Sequence, residues 1–153
     1  FKFIFVHSLV GGIDTQGRGG AEAAPFWEWG GKNADGTDGF KQNRPDRPMP
    51  IHQLLLRHQV NIVFHGHDHF YARQEIDGIV YQEVPQPGNE LSARAPRNAA
   101  DYGYRSGTIL GGSGYLRAVI SSDKATVEFV GIVPEDGKQP ANKVAHRYSI
   151  SPR

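Results

Sequence analysis

The sequence predicts an α/β (α+β) fold with a mixed sheet and a β-rich C-terminal half, all within one domain segment, 1–153. Two apolar runs, 1–6 and 62–64, flank a segment with helical periodicity at 50–60, as two parallel strands joined by a helix do. After residue 70, two pairs of apolar runs are each joined by a short turn, at 77–78 and 122–124, which is typical of antiparallel strands. The sequence shows neither an internal repeat nor a domain boundary.

Composition excludes several classes of function. The formal net charge is +1 and no block of Lys or Arg occurs, so a nucleic-acid partner is not expected. The absence of cysteine excludes disulfides and thiolate metal sites, leaving histidine and carboxylate as metal ligands. No apolar run approaches the ~18 residues of a membrane span, and no signal segment opens the chain. We therefore expect a soluble protein without a membrane partner, of unknown compartment, with a location outside the cytoplasm left open.

The first predicted strand is Phe1 to Val6, which is rich in aromatic and β-branched residues and ends before His7-Ser8 and the glycines at 11 and 12. A run this apolar fits a central strand covered on both faces better than an edge strand. The chain begins inside this strand without an initiating Met, so we expect it to be a fragment of a longer protein.

Residues 11–50 are rich in Gly, Asp-Gly and Pro, which predicts a long loop. Aromatic residues are embedded in it, and their simpler interpretation is a small satellite core that holds the loop down. The functional interpretation is the lid or wall of a substrate pocket, with Arg18 as an anion contact. The aromatic residues of this loop are Phe26, Trp27, Trp29 and Phe40.

The segment 50–60 predicts a short helix with Pro50 in its first turn. Its expected buried face consists of residues at helical spacing, namely Ile51, Leu54, Leu55 and His58. His58 near the helix end is explained by the helix dipole and solvent. His52, at the start of this helix, is a candidate for a side chain that contacts the metal ligands and holds them in position.

The C-terminal half predicts a series of strands. Asp77-Gly78 joins two β-rich runs, which strongly indicates a two-residue hairpin. Residues 85–106 predict a loop with a helical turn near Ala93. The predicted strands are Phe70 to Ile76, Ile79 to Val84, Gly114 to Ser121, Ala125 to Val133 and Val144 to Ile150.

A cluster of histidines follows the apolar run 62–64. In an extended segment His67 and His69 would project to the same side, roughly 7 Å apart at the backbone. His7 ends another strand, and ligands bind in the crevice beyond the carboxyl ends of parallel strands. Since imidazole is a common metal ligand, we predict a metal site formed by His7, His67 and His69, although three ordinary polar histidines would give the same pattern.

The neighbours of these histidines have supporting roles in this prediction. Gly66 would let the backbone turn sharply after the strand. His65 is expected to support the ligands or pack behind them, and Asp68 is expected to face the other way.

These motifs resemble the C-terminal half of a calcineurin-like metallophosphoesterase, the superfamily that includes purple acid phosphatases. The resemblance rests on Gly66-His67-Asp68-His69 after an apolar strand, on Val6-His7-Ser8 upstream, and on Gly114-Tyr115-Leu116-Arg117 downstream. It implies a four-layer α/β/β/α sandwich in which both sheets contribute loops to the site. It also implies a dinuclear metal centre, with His7 and His67 on one metal and His69 on the other.

The resemblance implies a hydrolase that cleaves phosphate mono- or diesters with two metal ions of the Fe, Mn or Zn type. The earlier motifs of the family, Asp-x-His, Gly-Asp-x-x-Asp and Gly-Asn-His-Asp/Glu, do not occur here, and Gly88-Asn89-Glu90 is only superficially similar to the last. We therefore expect the missing N-terminal half of the same protein to supply the aspartates and the catalytic residues. This chain alone is expected to bind little or no metal and to be inactive.

Alternative interpretations remain open. The metallo-β-lactamase-like hydrolases use His-x-His-x-Asp-His, from which the run 65–69 lacks one residue, so the ligand register is broken. A cupin barrel also uses His-x-His, but it needs a glutamate a few residues after the histidines, and Glu75 is too far along the chain. The helical crossover at 50–60 also does not belong in such a barrel. A non-catalytic β-rich module whose histidines hold at most one ion is the other alternative.

Partners follow from the same reasoning. For a phosphate ester substrate, the candidate pocket residues are Arg18, Trp27, Trp29 and Tyr71. If the chain folds alone, the sheet edge that the missing half would cover is exposed, and such edges pair with other chains. A homodimer through that edge is therefore expected.

Overall fold

The computed structural model describes residues 1–9, 16–88, 95–133 and 142–153. It contains a five-stranded sheet in the order β1-β2-β4-β3-β5 and a three-stranded sheet in the order β6-β7-β8. The glycines at 11 and 12, Asn89, Glu90 and Ala93 lie outside the described residues. The strands are β1 Phe3–Phe5, β2 Ile62–His65, β3 Tyr71–Ile76, β4 Ile79–Glu83, β5 Thr108–Leu110, β6 Ser113–Ile120, β7 Ala125–Val133 and β8 Lys143–Ile150, and the α-helices are α1 Trp27–Gly30, α2 Phe40–Asn43, α3 Ile51–Arg57 and α4 Ala95–Asp101.

The five-stranded sheet is mixed, as the sequence predicts. Strand β1 pairs in parallel with β2 and β2 in parallel with β4, while β3 pairs antiparallel with both β4 and β5. Helix α3 lies between β1 and β2 in the chain, which confirms the predicted crossover. The prediction that β1 is central is wrong for this chain, because β1 is the terminal strand and has β2 as its one neighbour among the described strands.

One face of this sheet packs against helices. Trp29 of α1 and Leu55 of α3 form a buried cluster with Val63 of β2 and Tyr81 of β4. The predicted apolar face of α3 is partly wrong, because Leu54 is 42% exposed and the buried positions of the helix are His52 and Leu55.

The other face packs against the three-stranded sheet. Ile62 and Phe64 of β2 and Val80 of β4 form a buried cluster with Val127 of β7. These residues alternate with the helix-facing ones along β2, because successive side chains of a strand point to opposite faces. The described residues thus form a mixed α+β structure in which one sheet lies between helices and a second sheet.

The long stretches predicted as loops contain short regular elements. A 3₁₀ helix spans Ala21–Ala23, α1 and α2 are four residues each, and α4 is a seven-residue helix that lies within the predicted loop 85–106. The three-residue strand β5 was not predicted, because so short a run shows no periodicity. None of the helices within the described ranges is long and apolar enough to cross a membrane.

The predicted Asp-Gly hairpin is confirmed. Asp77 has a φ of 51° and Gly78 a φ of 75°, and Ile76 pairs directly with Ile79. A type I′ turn needs positive φ at both central residues, which Asp and Gly tolerate best. This turn lies at the end of β4 opposite to the candidate histidines.

The solvent-facing side of the three-stranded sheet carries a carboxylate held between two arginines. Glu128 of β7 pairs in register with Arg117 of β6 and Arg147 of β8. The two guanidinium groups donate through Nε to its two oxygens, each at 2.7 Å. The hydrogen bond from Arg117, followed by that from Arg147, lowers the pKa of the Glu128 carboxyl below its ordinary value.

We expect Glu128→Gln to lower the melting temperature at pH 7 and to have almost no effect in acid. A carboxyl whose pKa is depressed by folding stabilises the protein above its unfolded pKa and loses that contribution as the pH falls through the folded value. The difference between variant and wild type should therefore shrink below about pH 4. Thermal unfolding from pH 3 to 8 measures it, and a constant difference over that range would contradict the role of the ionised carboxylate.

Candidate metal site

Two histidines from distant parts of the sequence meet at one edge of the five-stranded sheet. The adjacent parallel strands β1 and β2 end together, and the Gly66 amide donates to the His7 carbonyl oxygen at 2.9 Å. Beyond the strands, Nε2 of His7 lies 3.1 Å from Nδ1 of His67, and the two rings are inclined at 83°. The predicted convergence of His7 and His67 therefore agrees with the structure.

The spacing of these two nitrogens fits a shared ligand. Two imidazole nitrogens that bind one ion at about 2.0–2.1 Å lie roughly 2.9–3.4 Å from each other in octahedral to tetrahedral geometry. The observed 3.1 Å between His7 and His67 falls within that interval, although a hydrogen bond between the rings has the same length. The other ring nitrogen of His67, Nε2, is buried and has no hydrogen-bond partner among the described residues. The chemistry of this pair fits the histidine part of a metal site.

His69 occupies a different setting from the other two. Its side chain is exposed, and its backbone amide donates to Glu83. The ranges 1–9, 16–88, 95–133 and 142–153 contain no group of three or more His, Asp or Glu side chains arranged to hold an ion. The structure thus brings His7 and His67 together, and the assignment of His69 to a second metal stays a prediction.

His67 and His69 do not lie on one side of an extended strand, so that prediction is wrong. Strand β2 ends at His65, and both His67 (φ 93°) and His69 (φ 68°) have left-handed backbone conformations. Gly66 has no positive φ, and a Cβ there would come no closer than 3.7 Å to the His7 carbonyl oxygen. The sharp turn therefore falls on the histidines themselves, where positive φ is uncommon for residues other than glycine.

A buried carboxylate lies directly behind this turn. Oε1 of Glu83 accepts hydrogen bonds from the backbone amides of Asp68 at 2.9 Å and His69 at 3.1 Å. Its Oε2 lies 2.8 Å from Nδ1 of His65, and both side chains are almost completely buried. That second contact does not have the geometry of a hydrogen bond, and neither ring nitrogen of His65 has a hydrogen-bond partner among the described residues. Burial raises the pKa of the Glu83 carboxyl, and the nearby His65 partly offsets the increase.

Asp68 faces away from the histidine pair, as expected from its position between His67 and His69. Its Oδ1 lies 3.1 Å from Nη1 of Arg18, and its Oδ2 accepts from the Gly19 amide at 3.0 Å and from the Tyr104 hydroxyl at 2.9 Å. The Arg18 guanidinium also lies over the Tyr102 ring, 4.1 Å from its centroid. Arg18 is therefore fixed beside the histidine turn by an ion pair and a cation–π contact.

Two of the predicted pocket residues belong to the core. Trp29 is 2% exposed and donates from Nε1 to the Tyr81 hydroxyl at 2.8 Å. Tyr71 is 0% exposed, stacks on Phe129 between the two sheets, and its hydroxyl lies 2.7 Å from Nδ1 of His146. The prediction of substrate contacts for Trp29 and Tyr71 is wrong, because neither ring reaches the surface.

The remaining two predictions concern Trp27 and His52. Trp27 is 40% exposed and lines a pocket of about 350 Å³ formed by residues between 27 and 44, which includes none of the candidate ligands. His52 contacts the Tyr81 hydroxyl through Nδ1 at 2.7 Å and Asp77 through Nε2 at 2.9 Å. Both ring nitrogens of His52 are thus occupied on the helical side of the sheet, so its predicted supporting role at the site is wrong.

Sequence reasoning missed Glu83, Tyr102, which lies under the Arg18 guanidinium, and Tyr104, which donates to Asp68. The tyrosines approach from the segment that follows α4, which no local pattern connects to residue 68. Glu83 had a usable signal, because it is a carboxylate at the carboxyl end of a mostly apolar strand, next to the strand that precedes the histidines. A charged residue in such a position is rarely buried without a partner.

No protein-family model matches this sequence, and no curated protein matches it either.

Proposed function

We propose that the intact protein hydrolyses phosphate mono- or diesters in a metal-dependent reaction, and that this chain supplies the histidine part of a dinuclear site. The observation that carries the proposal is the approach of His7 and His67 to 3.1 Å at the ends of two adjacent parallel strands. In this proposal both histidines bind one ion and His69 binds the other. The ions, of the Fe, Mn or Zn type, would clamp the phosphoryl group and lower the pKa of the attacking water.

The residues of this chain have distinct tasks in the proposed site. The imidazoles act as neutral ligands, and their ring orientation is set by the backbone turn after β2. Arg18 is proposed as the contact for the substrate phosphate, because Asp68 and the Tyr102 ring hold its guanidinium next to that turn. A guanidinium suits this task since its planar fork matches the oxygens of a phosphate group.

The remaining ligands are proposed to come from a preceding segment of the intact protein. Neutral imidazoles alone leave the charge of two cations uncompensated in a partly buried site. Strand β1, which ends next to His7, has an edge without a partner among the described strands, and Phe5 there is 74% exposed. A further strand added at that edge would bring its own carboxyl-end residues beside His7. It would also extend the five-stranded sheet toward the four-layer α/β/β/α sandwich of the proposed family.

When the chain is produced alone, we propose that the same edge pairs with a second copy of the chain. The unpaired backbone N–H and C=O groups of an edge strand form hydrogen bonds with a strand of another molecule. The edge that forms the homodimer is then the edge that the preceding segment covers in the intact protein.

The proposal is tested by measuring metal content and hydrolysis of an aryl phosphate monoester and diester, for this chain and for the intact protein. We expect the intact protein to hold about two metal ions and to hydrolyse at least one ester, losing activity with chelator and regaining it with metal. This chain alone should be inactive and hold less metal. An intact protein that binds one ion and hydrolyses neither ester would instead identify a non-catalytic histidine module, and one that binds none would overturn the metal site.

A further inference from the structure

We propose that Glu83 is a positioning residue that sets the backbone of the ligand-bearing turn from His67 to His69 and thereby determines how strongly it binds metal. The proposal rests on the proposed function only in taking these two histidines as ligands. Glu83 itself is not a metal ligand in this proposal. Its Oε1 already accepts hydrogen bonds from two backbone amides, and its Oε2 lies 2.8 Å from Nδ1 of His65.

One carboxylate oxygen holds two consecutive amides of the turn. Oε1 of Glu83 accepts from the Asp68 and His69 nitrogens, which must point to the same side of the chain for this to occur. Successive backbone N–H groups converge in this way when left-handed residues alternate with others, and the concavity that they form binds anions. Here the anion is supplied by the protein's own neighbouring strand.

The conformation that Glu83 holds is one that the sequence would otherwise avoid. His67 has a φ of 93° and His69 a φ of 68°, and neither residue is glycine. Such strained backbone conformations persist only where contacts with the surrounding structure hold them in place, and they are concentrated at functional sites. The two amide hydrogen bonds to Glu83 compensate for this strain, so the imidazoles leave the turn in one arrangement.

The carboxylate is itself fixed in place. His65 and Glu83 are register partners on the adjacent strands β2 and β4, and their side chains are 1% and 0% exposed. On the far side of the turn, the Asp68 side chain is held by Arg18, Gly19 and Tyr104. The turn is therefore anchored through its amides by Glu83 and through its central side chain by the segment that contains Arg18.

The test compares Zn²⁺ affinity across Glu83 variants of the intact protein, using competition with a chromophoric chelator. Glu83→Gln retains an acceptor oxygen for both amides and should bind Zn²⁺ within about threefold of wild type. Glu83→Leu removes the acceptor and should weaken binding about 10- to 100-fold, as the loss of groups that orient metal ligands does. Glu75→Gln on the neighbouring strand β3 is the matched control, since its carboxylate is 46% exposed, and it should not change the affinity.

Folded Glu83→Leu with wild-type affinity would overturn the proposal, and so would a loss in Glu83→Gln as large as that in Glu83→Leu. If Glu83→Leu fails to fold, Glu83→Asp replaces it, since its shorter side chain cannot reach both amides. Hydrogen exchange at the Asp68 and His69 amides should then accelerate together with weaker Zn²⁺ binding, and faster exchange with unchanged affinity would also overturn the proposal. If wild type binds no Zn²⁺ and the proposed function fails, amide exchange in the same variants still reports whether Glu83 holds the turn.

Discussion

Replacing His67 with alanine in the intact protein is expected to lower kcat/KM for an aryl phosphate by well over about 100-fold and to remove at least one metal ion. The magnitude follows by comparison, because losing a group that merely orients a metal ligand already costs about 10- to 100-fold. His67 is also the residue whose Nδ1 lies 3.1 Å from Nε2 of His7, so its removal eliminates the pair on which the proposed site depends. Metal analysis and steady-state kinetics on the same preparation measure both effects.

His58→Ala provides the matched control. His58 is exposed at the end of α3, so this substitution should leave metal content and activity unchanged.

His7→Ala should have an effect similar to that of His67→Ala. The double variant should be little worse than either single one, because groups that act as one unit are strongly non-additive. Full activity in His67→Ala, or additive losses in the double variant, would contradict a shared ion.

The parts of the fold that were predicted correctly are those that local patterns specify. The hairpin around Asp77-Gly78 and the strands β6, β7 and β8 follow from alternation and turn chemistry within a few residues. The helix between two parallel strands follows from a change of period. The same parallel arrangement predicts that His7 and His67 lie at neighbouring strand ends. In the structure, Nε2 of His7 lies 3.1 Å from Nδ1 of His67.

The errors concern properties that depend on the whole fold. The apolar strand β1 is terminal in the sheet of this chain, because sheet order is set by long-range pairing that one strand's composition does not encode. Likewise, an aromatic residue in a glycine-rich loop has the same sequence pattern whether it is buried or exposed. Trp27 and Trp29 are two residues apart, and one is 40% exposed while the other is 2% exposed.

The details of the site were partly beyond sequence reasoning for a different reason. His67 and His69 would project to the same side only if the strand continued through them, whereas strand β2 ends at His65 and both histidines have left-handed backbone conformations. That conformation is stabilised by a carboxylate on another strand, Glu83, 14 residues beyond His69. Contacts of this kind select backbone conformations that local propensity disfavours.

Trp29→Ala is expected to lower the free energy of unfolding by about 3–5 kcal/mol, the usual cost of truncating a large buried aromatic residue. The indole is enclosed between the helices and the sheet, and its Nε1 donates to the Tyr81 hydroxyl at 2.8 Å. Burial raises the pKa of Tyr81 to about 12, so its hydroxyl, which lies 2.7 Å from Nδ1 of His52, stays protonated at neutral pH. Losing Trp29 therefore opens a cavity and also removes one member of this buried hydrogen-bonded chain.

Trp27→Ala is the control that makes this result informative. Trp27 is 40% exposed, so its truncation should cost less than about 1 kcal/mol, which is typical of a surface position. Urea unfolding of both variants measures the two effects, and aryl phosphate kinetics at a temperature where both are folded tests for a substrate role. If Trp29→Ala kept wild-type stability but raised KM, the tryptophan would belong to a pocket wall rather than to the core. The large loss of stability in one variant and the small loss in the other would follow from the burial of Trp29 and its hydrogen bond to Tyr81, since the residue type is the same in both.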